Sequence, residues 1–310
     1  MYNGAIPEKR ELTMKDSYRS RLLLALSMAI FGTLGPFVRH IPISSGELAL
    51  WRAVLATLLI GLFLLITRQK IPFRQIKKEL PLLLISGMAM GINWILLFEA
   101  YEYTTVSVAT LSYYFAPVLV TAVCPLLFRE KMSAKQIVCF LFATLGIVLI
   151  TGIGTVGEGD KDLIGILFGL GAAVFYATVI LLNKRIQTVG GIHRTFLQFI
   201  AAILILIPYV CFGGGVHLGS LDRIGWLCLL TVGLVHTGVT YCMYFSSLNR
   251  ISGQKAAILS YIDPLVAILL SVFVLKESMS PLQWLGAALI LGFTLWNEIE
   301  PKKKKKTDHQ

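Results

Sequence analysis

The chain has 310 residues, 56% of them hydrophobic and only 15% charged, with a mean hydropathy of +0.74. Folded in water, it would leave apolar surface far beyond the patches that a soluble monomer tolerates. The net charge of +11 raises nucleic acid as a partner, but its placement along the chain argues for a membrane-topology signal instead.

A spanning helix needs about 20 mainly apolar residues, and ten such windows follow a polar tail at 1–20. That tail gives no sign of a cleavable signal. The first five windows fall at 22–39, 47–67, 80–101, 104–128 and 133–152. Past a linker at 153–162 come 163–184, 194–213, 224–248, 254–275 and 281–298, before a basic tail at 300–310. Backbone groups in hydrocarbon must bond internally, which runs of this length do as helices. The expected fold is therefore an all-α polytopic membrane protein with ten transmembrane helices. Of the 28 Lys and Arg, 23 fall on one side of that arrangement. The excess alternates between successive connections, which places both termini in the cytoplasm. The lysine run 302–306 reads as a solvated anchor or a contact with anionic lipid; no nucleic acid is expected.

Polar residues inside the windows need a partner, a watery cavity or a function. Arg52 lies one to two turns into the second window and Glu99 at a similar depth in the third, so an Arg52–Glu99 ion pair is expected, structural or gating in role. Asn93 and Trp94 sit at mid-depth in the third window, Tyr113 and Tyr114 in the fourth, and Tyr176 in the sixth. His236 lies near the middle of the eighth, on a stripe with Gly233, Thr240, Tyr244 and Ser247 at helical spacing. Tyr261 and Asp263 occupy the ninth. Tyrosine and tryptophan offer apolar faces with a few hydroxyls, suited to amphipathic or aromatic solutes and to cations; helix packing is the alternative at each position. His236 reads either as a cavity residue tuning substrate or proton binding or as a neutral ring held between helices. Asp263 reads as a coupling group or as support for the turn at Pro264. Together these define a substrate-binding set (Asn93, Trp94, Tyr113, Tyr114, Tyr176, His236, Thr240, Tyr244, Tyr261) and a coupling or gating set (His236, Asp263, Glu99, Arg52).

The chain repeats itself. Ala109 to Leu119, followed by Glu130, Ser133 and Gln136, matches Ala256 to Val266, followed by Glu277, Ser280 and Gln283, at an offset of 147. Ile30-Phe31-Gly32-Thr33 matches Phe175-Tyr176-Ala177-Thr178 at 145. The halves are 21–152 and 163–299. Five spans each is an odd number, so the second half enters from the opposite face, giving two inverted five-helix repeats. Such a duplication is the mark of a carrier whose halves rock about a central site. Pro117 and Pro264 recur at one place in both halves and are the hinge candidates, ahead of Pro36 and Pro125. Glu130 and Glu277 precede Ser133 and Ser280 and read as helix-capping devices. Gly87 and Gly91, Gly165 and Gly169, and Gly32 and Gly35 are spaced for close helix packing.

Leu48-Ala49-Leu50-Trp51-Arg52, the run Tyr103 to Ala109, and the twice-used aromatic-x-x-Pro followed by Glu-x-Met-Ser resemble the EamA family of the drug/metabolite transporter superfamily. The likeness covers essentially everything after residue 20, as two EamA-like units. It implies secondary export or exchange of small metabolites, such as amino acids or their analogues, across a bacterial inner membrane. It also implies a central cavity lined by spans 1, 3, 4, 6, 8 and 9. The aromatic lining leans towards amino-acid-like or amphipathic cationic solutes.

Other functions fit less well. There is no GxxxxGK[ST] phosphate loop for a nucleotide-driven pump and no GxSxG nucleophile elbow. Gly157-Glu158-Gly159-Asp160 spells a protease-like GxGD by letters, but in a polar loop without a partner aspartate motif. The five cysteines (124, 139, 211, 228 and 242) form no CxxC pair, so no disulfide, metal, cofactor or enzymatic activity is expected. A channel or a non-transporting receptor on the same scaffold is the alternative. The expected partners are a small-molecule substrate and membrane lipid, with a monomer as the working unit.

Overall fold

Short polar residues mark where the helices begin. Ser44 Oγ accepts from Glu47 N at 3.2 Å, Thr105 Oγ1 from Val108 N at 3.2 Å, and Asp222 Oδ1 from Gly225 N at 2.7 Å. Each satisfies one of the amides that a helix start leaves without a partner. The two repeat-related Ser-x-x-Gln sequences form reciprocal caps. Gln136 N donates to Ser133 Oγ and Ser133 N to Gln136 Oε1 (3.2 and 2.8 Å), and Ser280 with Gln283 does the same (3.2 and 2.9 Å). The capping expected of Glu277 thus falls to serine and glutamine, and Glu277 turns elsewhere.

The computed structural model describes residues 14–69, 73–128, 133–150, 160–186, 189, 191–248 and 259–298, all-α apart from short connections. Glu130, Gly157 to Gly159 and the lysine tail lie outside them. The first half contains α1 (Met14–Gly32), α2 (Leu34–Val38), α3 (Ser45–Ile66), α4 (Phe73–Tyr103), α5 (Val106–Tyr113), α6 (Ala116–Phe128) and α7 (Ala134–Ile150). The second contains α8 (Asp160–Arg185), α9 (Gly191–Phe212), α10 (Arg223–Leu230), a π-helical stretch Thr231–Val239, α11 (Thr240–Leu248), α12 (Ile262–Phe273) and α13 (Pro281–Glu298). By length and composition, six helical stretches can cross a membrane: Tyr18–Val38, Ser45–Ile66, Ile76–Tyr103, Lys161–Asn183, Gly191–Phe212 and Arg223–Tyr244. Val106–Val120, Ala134–Leu149 and Ile262–Phe273 are shorter apolar helices.

Helix breaks fall at repeat-related places. The fourth window breaks at Tyr114 and Phe115, and the ninth turns at Tyr261 before α12. Pro117 and Pro264 then sit in the first turns of α6 and α12, where a missing N–H goes unnoticed. The first window also breaks, at Thr33, whereas α8 runs through the matching Thr178.

Packing follows the duplication. α4 lies on α8 and α9, while the span built from α10, the π stretch and α11 lies on α1 and α3. α5 packs on α8, and α12 on α1; α3 with α9, α7 with the last helix, and α5 with α12 form pairs that map onto themselves. Exchanging the halves therefore returns these pairings. The glycine pairs stand at these crossings. A Cβ on Gly87 would overlap Ala201 Cβ at 2.5 Å, one on Gly169 Ser112 Cβ at 2.8 Å, and one on Gly32 the Asp263 carbonyl at 2.5 Å. Such close approach lets dispersion hold helices that lipid does not drive together.

Candidate transport site

The middle of the bundle holds a chain of aromatic rings. Tyr113, at the end of α5, stacks on Tyr176 of α8 with centroids 5.1 Å apart, and Tyr114 meets Tyr113 edge-on at 5.7 Å. Tyr176 keeps 37% of its surface accessible, although Tyr244, Tyr241 and Asp263 are its electrostatic neighbours. Tyr241 packs edge-on against Phe31 and Phe199 (5.1 and 5.3 Å), and Phe199 against Trp94 at 5.4 Å.

Across the breaks, Tyr114 Oη donates to Asp263 Oδ2 at 2.5 Å. The two broken spans, one from each half, are thus tied by a hydrogen bond to a carboxylate, a strong class of contact. Repeat symmetry pairs Tyr114 with Tyr261, but the contact is made with Asp263, two residues on, and Tyr261 itself is buried.

Arg52 does not form the expected pair with Glu99, which is half-buried and makes no ion pair among the described residues. The Arg52 guanidinium, on a residue 3% exposed, lies over the rings of Trp94 and Phe98 at 4.7 and 5.2 Å. Its Nε donates to Thr237 Oγ1 at 3.0 Å. Sequential neighbourhood suggested Glu99, but two aromatic faces and a hydroxyl from the eighth span take the charge instead.

The π stretch re-aims the eighth span. Thr237 Oγ1 donates to Val232 O, and Thr240 Oγ1 to Val235 O, each five residues back (2.8 and 2.7 Å). Gly233 meets Leu55 of α3, and Gly238, five residues on, meets Leu59, one α-turn further along that helix. The stripe expected from α-helical spacing does not survive this widening: Gly233 faces α3 while His236 turns to the first span. The imidazole is 2% exposed, edge-on to Phe37 at 4.9 Å and 2.8 Å from Thr33 Oγ1 through Nε2. Thr33 Oγ1 is also 2.8 Å from Ile30 O, and His236 Nδ1 is 3.3 Å from Thr231 O, so the ring tautomer sets which partner donates in the His236–Thr33 bond. His236 is therefore a bridge between helices in this conformation. Asn93 does likewise, donating to Ala172 O of α8 at 2.6 Å. Thr240 is fully buried on its own backbone, and Tyr244 stands beside Tyr241 and Tyr176.

Sequence reasoning missed a latch at one end of the bundle. Arg39 Nη2 donates to Thr104 O at 2.8 Å and pairs with Glu277 Oε1 at 3.1 Å. Glu277 Oε2 accepts from Val106 N at 2.9 Å and from the Ser271 hydroxyl. Glu277 caps a helix after all, but α5 of the other half. Only the repeat could have signalled this, since Glu277 recurs as Glu130 at the offset of 147. Tyr101, Tyr241 and Phe98 were also missed, because aromatic residues in apolar windows carry no distinguishing pattern.

A family model of EamA-like transporters matches residues 19–152 and again 163–297. The chain belongs to the EamA-like transporter family. It is 32% identical to the uncharacterized transporter YxxF of Bacillus subtilis over 91% of this chain and 90% of that one. The uncharacterized inner membrane transporter YicL of Salmonella typhimurium is 24% identical over 94% and 99%. A solved crystal structure shares the fold, with a TM-score of 0.64 at 16% identity, covering 89% of this chain and 96% of its own. The EamA-like chain is thus a multi-pass membrane transporter, and its two family units coincide with the halves that exchange in packing.

Proposed function

We propose that this EamA-like protein is a secondary transporter, an exporter or exchanger of small metabolites such as amino acids or amphipathic compounds, working by alternating access. Ten spans arranged as two inverted pentads enclose the site, both termini lie in the cytoplasm, and a monomer suffices. The observation that carries this reading is the matched pair of helix breaks at Tyr114 and Tyr261, bridged by Tyr114 and Asp263. Discontinuous helices at repeat-related positions are how such carriers place substrate groups at mid-membrane. Tyr113, Tyr176, Tyr241 and Tyr244 supply stacking faces there, and the Arg39–Glu277 latch supports a state shut at that end. Topology reporters inserted after Gln69, in the 130 loop and in the 277 loop test the inversion. The first two are expected inside and the third outside; loops 130 and 277 on one side would reject it.

A further inference from the structure

We infer that Arg52 is the anion anchor of the transport site and that the solute is a small organic carboxylate with an apolar or aromatic body. This rests on reading the protein as a carrier. The inference starts from a buried charge with no counter-charge among the described residues. Arg52 makes no ion pair among the described residues, and the titratable groups that act on it are the phenols of Tyr241, Tyr113 and Tyr101, with no carboxylate among them. A guanidinium carries five donors in a planar fork; among the described residues only Nε is engaged, by Thr237. The rings of Trp94 and Phe98 hold the cation but cannot accept in-plane hydrogen bonds from the outer nitrogens. Buried charge without a partner is costly, so its retention implies a role that a neutral side chain would not fill.

The duplication supplies the control. α3 and α9 are both 22 residues long, and Arg52 and Gln198 each occupy the eighth position. Gln198 Nε2 donates to Ser86 Oγ and Asn183 Oδ1 at 2.6 Å each. The hydroxyl partners, Thr237 on span 8 and Ser86 on span 3, lie one turn apart in the repeat register. The structural task at this position is thus met by an uncharged amide in one half, while the other half carries a cation. Trp94, beneath the guanidinium, joins the aromatic chain through Phe199 to Tyr241. An outer guanidinium edge beside stacking rings fits a carboxylate bidentately, with its apolar body lying on the tyrosines; a purely cationic solute would be repelled.

Thermal shift and isothermal titration on the purified full-length protein test this with a panel of aromatic and aliphatic acids. Phenylacetate, 3-phenylpropionate, branched short-chain acids and neutral amino acids are each matched by the corresponding amide and amine. Carboxylates are expected to bind at least about tenfold more tightly than their amides, the scale of one charge-assisted contact. Arg52→Gln, which copies the residue of the other half and retains a donor for Thr237, should fold and lose that preference; Arg52→Lys should keep part of it. Binding of amines alone, no binding by any acid, or unchanged acid affinity in Arg52→Gln would overturn the anchor. Acid binding lost in Arg52→Gln, but with no solute counterflow in liposomes, would keep the anchor and reject the carrier. Counterflow indifferent to Arg52→Gln would do the reverse.

Discussion

Replacing Glu277 by Ala removes one end of the latch, and its cost can be worked from the contacts. The Arg39–Glu277 pair has side chains 31% and 14% exposed, so solvent screening leaves it about 0–1 kcal/mol. The bonds from Val106 N and the Ser271 hydroxyl reach a charged acceptor, and such bonds contribute about 1.5–3 kcal/mol each. Water can satisfy part of what is exposed, so the lower end applies: roughly 3 kcal/mol, or about a hundredfold rise in the population open at this end. The assay is the rate at which an impermeant maleimide labels Ser107→Cys in a cysteine-free background. Ser107 is fully buried, and its amide donates to Ser271 Oγ at 3.3 Å. Labelling should accelerate about a hundredfold with Glu277→Ala, less with Glu277→Gln, which can still accept from Val106. An unchanged rate in Glu277→Ala would refute the assignment of these contacts as a latch.

Other expectations follow from the same geometry. Tyr114→Phe and Asp263→Asn should each weaken solute binding about tenfold, with a double-mutant coupling near 1–2 kcal/mol; additivity would show that their hydrogen bond carries no energy. His236→Gln can still hydrogen-bond to Thr33 and should retain apparent melting temperature and transport pH profile, whereas His236→Leu should cost about 1–3 kcal/mol. A pH profile altered by the Gln variant would restore the proton-relay role for His236. Gly87→Ala must push Ala201 and the Gln198 backbone aside and should destabilise by about 1–3 kcal/mol. Gly292→Ala meets nothing within 4 Å and should be neutral or stabilising by up to about 1 kcal/mol; both are read by thermal unfolding in detergent.

Much of the architecture was legible because lipid imposes length and apolarity on every span and duplication prints the same letters twice. The glycine pairs predicted helix crossings for the same reason: only small residues permit that approach. Pairing of charges was not legible. Arg52 was assigned to Glu99 by proximity in sequence, but the partners that reach it, Trp94, Phe98 and Thr237, belong to two different helices. Arg39 and Glu277 lie 238 residues apart, and nothing local connects them. Which of its two readings His236 follows was not legible, because α-helical spacing does not hold through a stretch that winds as a π-helix. Threonine side chains at 237 and 240 bond five residues back there, a choice that depends on how glycines 233 and 238 seat on α3.

Solute counterflow decides the central claim. Proteoliposomes preloaded with an unlabelled ligand from the binding panel should transiently accumulate the labelled compound above its equilibrium level, because a carrier exposes one site to each side in turn. Labelled ligand that enters without overshoot would indicate a channel, and absence of entry for every compound that binds would indicate a receptor.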